Sequence, residues 1–339
     1  MSGCPDRRRH LKNGSCALRP VSYTTAVHAA LVRVRVQAQI SHERGGFILV
    51  SVLLLCVMLV ACATGYAWFA RLQIKTIVQD RLTLQARSVA LLLTRESMRG
   101  LKLDNNKYDS PLEEWFQPMF IPLNNYGFAN VVLRPLDNKI PLQHLFLPDG
   151  NTLRNELKDV WERMWTELEE RSTLPAKVLD YLDKNTTPRL GGRDGPDNLN
   201  RNPFDISELL GMEEITPEIL YGDGTRLGLA DYCTMWSDAK ININTAEPHT
   251  LAILNSLNKN LADEIVKFRE EKAISSLNEL RGIPSFPPRA IPTLMNLIGF
   301  TSSYYSLKIE LINEELSSTR YFDIVLHKPT SSILRWEEM

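Results

Sequence analysis

The chain has 339 residues, 44% of them hydrophobic and 23% charged, with 39 basic against 40 acidic side chains. That is ordinary for a globular protein of one large or two modest domains with a membrane segment. The charge is unevenly placed. Residues 1–44 carry eight Lys or Arg against two acids, while the rest carries 31 against 38, a net of about −7 that makes the outer part a poor match for nucleic acid.

Between Arg44 and Arg71 lie 26 residues without a charge, beginning Gly45-Gly46-Phe47. As a helix they would reach about 39 Å at 1.5 Å per residue, enough to cross a bilayer. The basic leader predicts a cytoplasmic N-terminus and an external C-terminal bulk. Three readings compete here. Leu59-Val60-Ala61-Cys62 looks like a lipobox, and Ala61-Cys62-Ala63 could pass as an ordinary signal-peptidase site. Against both, apolar character continues through Tyr66, Trp68 and Phe69. The third reading is a prepilin-type leader, residues 1–46, cut after Gly46 with Phe47 as the first mature residue and N-methylated. Beyond Arg71, Ile74, Val78, Leu82, Ala86, Val89 and Leu93 recur at helical spacing, and no proline interrupts 47–110. A half-membrane, half-amphipathic stalk over 47–100 follows, and only the third reading explains its continuity.

The stalk lacks an acid near its start. If cleavage follows Gly46, Ser51 stands fifth, and the first carboxylate is Asp80. Pilin-like subunits use a glutamate at that position to pair with a neighbour's N-terminal ammonium in the filament core. A buried unpaired charge is costly, so a subunit without the glutamate fits best at a filament end.

Residues 126–147 read as extended, with a turn at Asp137-Asn138 before Ile140-Pro141-Leu142. Leu153, Leu157, Val160, Trp161, Trp165 and Leu168 then give a helix, Lys177–Leu182 another, and Ile206–Gly211 a third after a polar loop over 183–205. Strands return at Tyr304–Ile312, Thr319–Leu326 and Ser332–Trp336. The expected class is therefore α+β. A sheet from 101–147 and 302–339 carries an inserted helical domain, 148–301, divided near 237.

Within the second part, Ile241-Asn242-Ile243-Asn244-Thr245-Ala246 precedes helical segments at 261–269 and 277–283, with Thr245 placed to cap the next helix. This resembles helix-hairpin-helix repeats, which grip phosphates through a Gly-rich turn. The equivalent turn, 255–260, has no glycine. A membrane-anchored, competence-type DNA-binding protein is accordingly the alternative function. His144, His249 and His327 are isolated, and Cys233, alone in the external part, has no evident base, so no catalytic residue is assigned.

In order, the leader glycine, the stalk without a fifth-position glutamate, Asp180-Tyr181-Leu182-Asp183, Asn202-Pro203-Phe204, Ile206–Leu210, Lys240–Ala246 and the late strands resemble the minor pseudopilin K (GspK-like) family of bacterial type II secretion systems. The resemblance runs from Arg44 to the C-terminus. It implies a type IV pilin-like fold enlarged by a helical insertion, at the tip of a periplasmic pseudopilus anchored by a single pass in the inner membrane. It implies assembly initiation with minor pseudopilins I and J, processing by the prepilin peptidase, work with an inner-membrane assembly platform, support of protein export, and no nucleic-acid partner. No cofactor is required, but family members can bind calcium. The oxygens of Asp180, Asp183, Asn185, Asp194 and Asp197 suit that hard cation, as they equally suit a solvated loop of Asx turns. Two departures bear on this: Tyr181 replaces the family's Trp, and Asn185 replaces a common Asp.

Overall fold

The computed structural model describes residues 45–124, 127–169, 173–255, 257–313 and 318–339. The leader, apart from its final glycine pair, lies outside them. Residues 45–77 belong to one compact unit, in which only helix is described, and Val78–Met339 form the other.

Helix α1, Gly45–Leu103, is a single run of 59 residues, about 88 Å at 1.5 Å per residue. Nothing in it breaks a helix, and among the described residues it is the one helix long and apolar enough to cross a membrane. Its apolar side chains from Phe47 to Phe69 are exposed.

Within the second unit, α1 lays Ala86, Ala90, Thr94, Met98 and Leu101 against the sheet, with Val89 and Leu93 at the flanks. The buried line thus runs in steps of four through Ala86 and Ala90, whose methyl side chains let the helix backbone lie close. The expected stripe is right from Leu82 onward. Lower down, Ile74 and Val78 lie on the same continuous helix but remain 62% and 44% exposed. Arg87 pairs with Glu338 at 2.6 Å, and Lys328 with Asp104 at 3.2 Å, fastening α1 to the last strands.

Strands β1 (Met119–Leu123) and β2 (Gly127–Pro135) open the sheet. The chain then leaves it. Ile140–Pro141, β3, pairs in parallel with β4, Cys233–Thr234, and Ile140, Leu142 and Leu145 belong to the helical core. The extended reading of 126–147 holds at Ile140–Pro141, but that pair lies outside the five-stranded sheet, with its partner over ninety residues away, and Leu142–His144 is a 3-10 turn.

The helical block follows in chain order. Helices α2 (Asn155–Glu167) and α3 (Leu174–Leu182) precede a 3-10 turn at Ile206–Gly211. That turn is capped reciprocally, Asp205 accepting from Ser207 N–H and Glu208 from Asp205 N–H. Next come α4 (Pro217–Tyr221), α5 (Leu229–Tyr232), β4, β5 (Ile241–Asn242), α6 (Pro248–Ile253), α7 (Lys259–Glu271) and α8 (Ile291–Leu294). β6, Ile298–Gly299, closes the block by pairing with β5. Its core is built on the inner face of α2, where Trp161 and Trp165 meet edge-to-face at 5.6 Å.

β7 (Tyr304–Asn313), β8 (Ser318–His327) and β9 (Ser332–Glu338) complete an antiparallel sheet of order β1-β2-β7-β8-β9. Along β7, Tyr305, Leu307, Ile309 and Leu311 alternate inward, while Lys308 and Glu310 point away. β2 and β7 are direct neighbours, so the helical block is an insertion between adjacent strands. The fold is α+β, a pilin-like helix and sheet interrupted by a helical domain.

Candidate functional site

Three places carry chemistry worth building up: the start of α1, the joint between sheet and helical block, and the acidic loop after α3. At the first, Gly46 is exposed with nothing within 4 Å of where a Cβ would stand, and Phe47 is 80% exposed. Four residues on, the Ser51 hydroxyl donates to Ile48 O within its own helix at 2.9 Å. Its hydrogen bond is spent locally, and no acid occurs in the first turn.

The joint is a buried polar network where three crossing segments meet. Asn242 is fully buried. Its Nδ2 donates to Asp109 O (3.1 Å) and Ser302 Oγ (2.9 Å), and its Oδ1 accepts from Asn244 N–H (3.0 Å). Asn244 in turn donates to Ile274 O and accepts from Ile274 N–H, both at 2.8 Å. The Asp137 carboxylate accepts from the N–H groups of Asp238, Ser303 and Tyr304, each at 2.9 Å. Asp109 accepts from Ser302 N–H and lies 3.8 Å from the Lys328 ammonium. Burial is the largest influence on both acids and pushes each to about 6, against the pull of these donors. Thr245 does not cap α6, because Pro248 follows Glu247 at the helix start and the Thr245 hydroxyl turns back to Asn242 O. The Asn-rich motif therefore serves to lock the head to the sheet. The sequence reading missed Asp109 and Asp137, whose only local sign was their place beside turns.

At the acidic loop, Asp180 and Asp183 are fully buried at the end of α3. Asp180 accepts from Arg189 N–H and from its guanidinium at 2.8 Å, and Asp183 accepts from the same guanidinium. Asn185 donates to Asp183 at 3.0 Å but gives its own oxygen to Thr187 N–H. Asp194 is reached through Asn198, which also donates to Asp180 O. Asp197 stays exposed. Burial raises the Asp183 carboxyl above its ordinary value, opposed by Arg189 and reinforced by Asp180 and Asp194. Four of the five oxygen-bearing residues read as calcium ligands are thus gathered, around a guanidinium. Among the described residues, no group of three or more His, Cys, Asp or Glu is arranged to hold a metal. The donor set does not fit a calcium cage, since Arg189 takes the oxygens of Asp180 and one of Asp183.

The helix pair α6–α7 has the hairpin form, and beside its turn Leu254 and Leu257 are buried while Asn258, Lys259 and Asn260 are exposed. Arg163 of α2 donates to Leu254 O and Leu257 O at 3.1 and 3.2 Å, and Asn255 donates to Glu156 O at 3.2 Å. A later turn contains Gly282, but the N–H groups of Ile283 and Phe286 are spent on Leu280 O and Ile283 O within it. The turn 255–260 has no glycine to shape a phosphate cradle. His249 abuts Tyr232 and the Asp231 carbonyl, and His327 bonds Thr330. Burial holds the Cys233 thiol well above its usual pKa.

Known proteins agree with this geometry. A family model described as a helix-hairpin-helix motif matches residues 237–298. No curated protein matches the sequence. Among solved structures, a chain of the GspK-GspI-GspJ complex from the enterotoxigenic Escherichia coli Type 2 Secretion System aligns over 79% of this chain and 99% of its own, at 18% identity and a TM-score of 0.52. The fold is shared. The alignment spans nearly all of the GspK-complex chain and far more of this chain than the hairpin motif occupies.

Proposed function

We propose that this chain is a minor pseudopilin of a type II secretion system. It sits at the pseudopilus tip and initiates assembly with minor pseudopilins of the I and J types. It thereby supports export of folded proteins across the outer membrane. The observation that carries this is the alignment to nearly the whole of a chain of the GspK-GspI-GspJ complex, joined to an apolar stalk with no acid before Asp80. A stalk whose fifth mature residue is Ser51 offers no carboxylate to a neighbour's ammonium, and a bulky head between adjacent strands suits an end better than a shaft.

On this reading the prepilin peptidase cuts after Gly46, Phe47 is N-methylated, and the head lies in the periplasm beyond a single inner-membrane pass. The inner-membrane platform draws the assembled stalks outward. The protein is no enzyme and requires no cofactor. It does not bind nucleic acid, since Arg163 and Asn255 hold the hairpin turn against α2. Co-assembly with its two cognate minor pseudopilins and a major subunit tests the placement. Gold label on the head should mark one filament end, and label spread along the shaft would overturn it.

A further inference from the structure

The polar loop over 183–205 lacks regular structure and is nevertheless tied down from within. One side chain does most of that tying. Arg189 follows Pro188, and its guanidinium reaches Asp180 Oδ1 at 2.8 Å, Asp183 Oδ2 and the carbonyl of Asn151. The same group lies 5.4 Å from the centre of the Phe146 ring. It therefore joins the end of α3, the 146–151 segment and its own loop at one point. Gly192 is part of the fit: a Cβ there would stand 1.9 Å from Asp180 Oδ2. Only glycine lets the loop close over that carboxylate.

Two fully buried carboxylates at one helix end need a compensating cation, or folding must bear the cost of burying them unpaired. A divalent ion is one solution. Here the guanidinium occupies the position such an ion would take between Asp180 and Asp183. Its planar fork engages both acids and a carbonyl together, which a lysine ammonium would do less well.

We propose that Arg189 is a built-in cation that replaces calcium in this loop, so that the head is ordered without any metal ion. The inference concerns the loop alone and stands whether or not the chain serves secretion. Two buried oxygens, Asp183 Oδ1 and Asp194 Oδ2, have no hydrogen-bond partner among the described residues. They are the atoms an ion lying beside the guanidinium would use, and the test is chosen to expose it.

The full-length protein in detergent is melted in EDTA and in millimolar Ca2+, as wild type, Arg189→Gln and Arg189→Lys. The wild type should melt at the same temperature in both, and equilibrium dialysis should find no Ca2+ bound. Arg189→Gln, which bares the carboxylates, should be destabilised in EDTA and regain stability with Ca2+. At a hundredfold excess over the dissociation constant the regained shift would be roughly 5–10 °C. Arg189→Lys should lie between, with little response to Ca2+. If Arg189→Gln cannot be purified folded, the wild-type dialysis and melts still decide. Calcium bound by the wild type, or a wild-type shift of several degrees on chelation, overturns the proposal.

Discussion

Replacing Asn242 with alanine removes three hydrogen bonds from the joint that holds head to sheet. Asp109 O, Ser302 Oγ and Asn244 N–H lose partners at 3.1, 2.9 and 3.0 Å in a site with no exposure. Each such bond contributes about 1 kcal/mol net, and leaving its buried partner unsatisfied adds to the loss, giving a total of about 3–5 kcal/mol. For a unit of this size the melting temperature should fall by roughly 10 °C. Urea unfolding of the full-length protein in detergent, followed by tryptophan emission, measures the change directly. Asn242→Asp keeps the shape but buries a new charge, and should be no better tolerated. A loss below about 1 kcal/mol for Asn242→Ala would refute the assignment of Asn242 as the pin of this joint.

Other outcomes follow from the same structure. Asp109 and Asp137 hold protons more tightly folded than unfolded, with pKa about 6 against 3.8, so their contribution is present at low pH and lost as pH rises through 6. Stability to urea should climb from pH 7.5 to pH 5, by about 1 kcal/mol per group, and a flat or falling profile in that window contradicts the burial of these acids. Ala90→Leu forces a larger side chain between α1 and the sheet and should cost about 1–3 kcal/mol, whereas Ile74→Ala, at an exposed position, should be silent in a detergent melt. Ala239 sits at φ 67°, so Ala239→Gly should raise stability by roughly 0.5–1 kcal/mol, and a loss there would show that its methyl group packs.

How much of this was legible in the chain depended on how local the signal was. β7, β8 and β9 could be read nearly to the residue, because Tyr305, Leu307, Ile309 and Leu311 alternate with polar neighbours in the sequence itself. Helix α2 was legible in place but not in length: of Leu153, Leu157, Val160, Trp161, Trp165 and Leu168, the first and last fall outside Asn155–Glu167. At β3 only the extended character of Ile140-Pro141 was legible, since nothing local shows that it pairs in parallel with Cys233 and Thr234 instead of joining the main sheet. The spacing of the stalk stripe marked an apolar helix face without saying where the sheet begins to cover it. In the acidic loop, Asp180 and Asp183 drew notice as carboxylates, but Arg189 did not. Its role depends on the chain folding back over six to nine residues, helped by a glycine at 192, and composition does not encode that return.

The most direct measurement is the mass and sequence of the mature N-terminus in protein taken from native membranes. An N-terminal, methylated Phe47 is the result expected of a pilin-type subunit whose apolar stalk is retained. A lipidated Cys62, or a chain still carrying residues 1–46, would contradict it and leave the shared fold without the assembly role proposed for it.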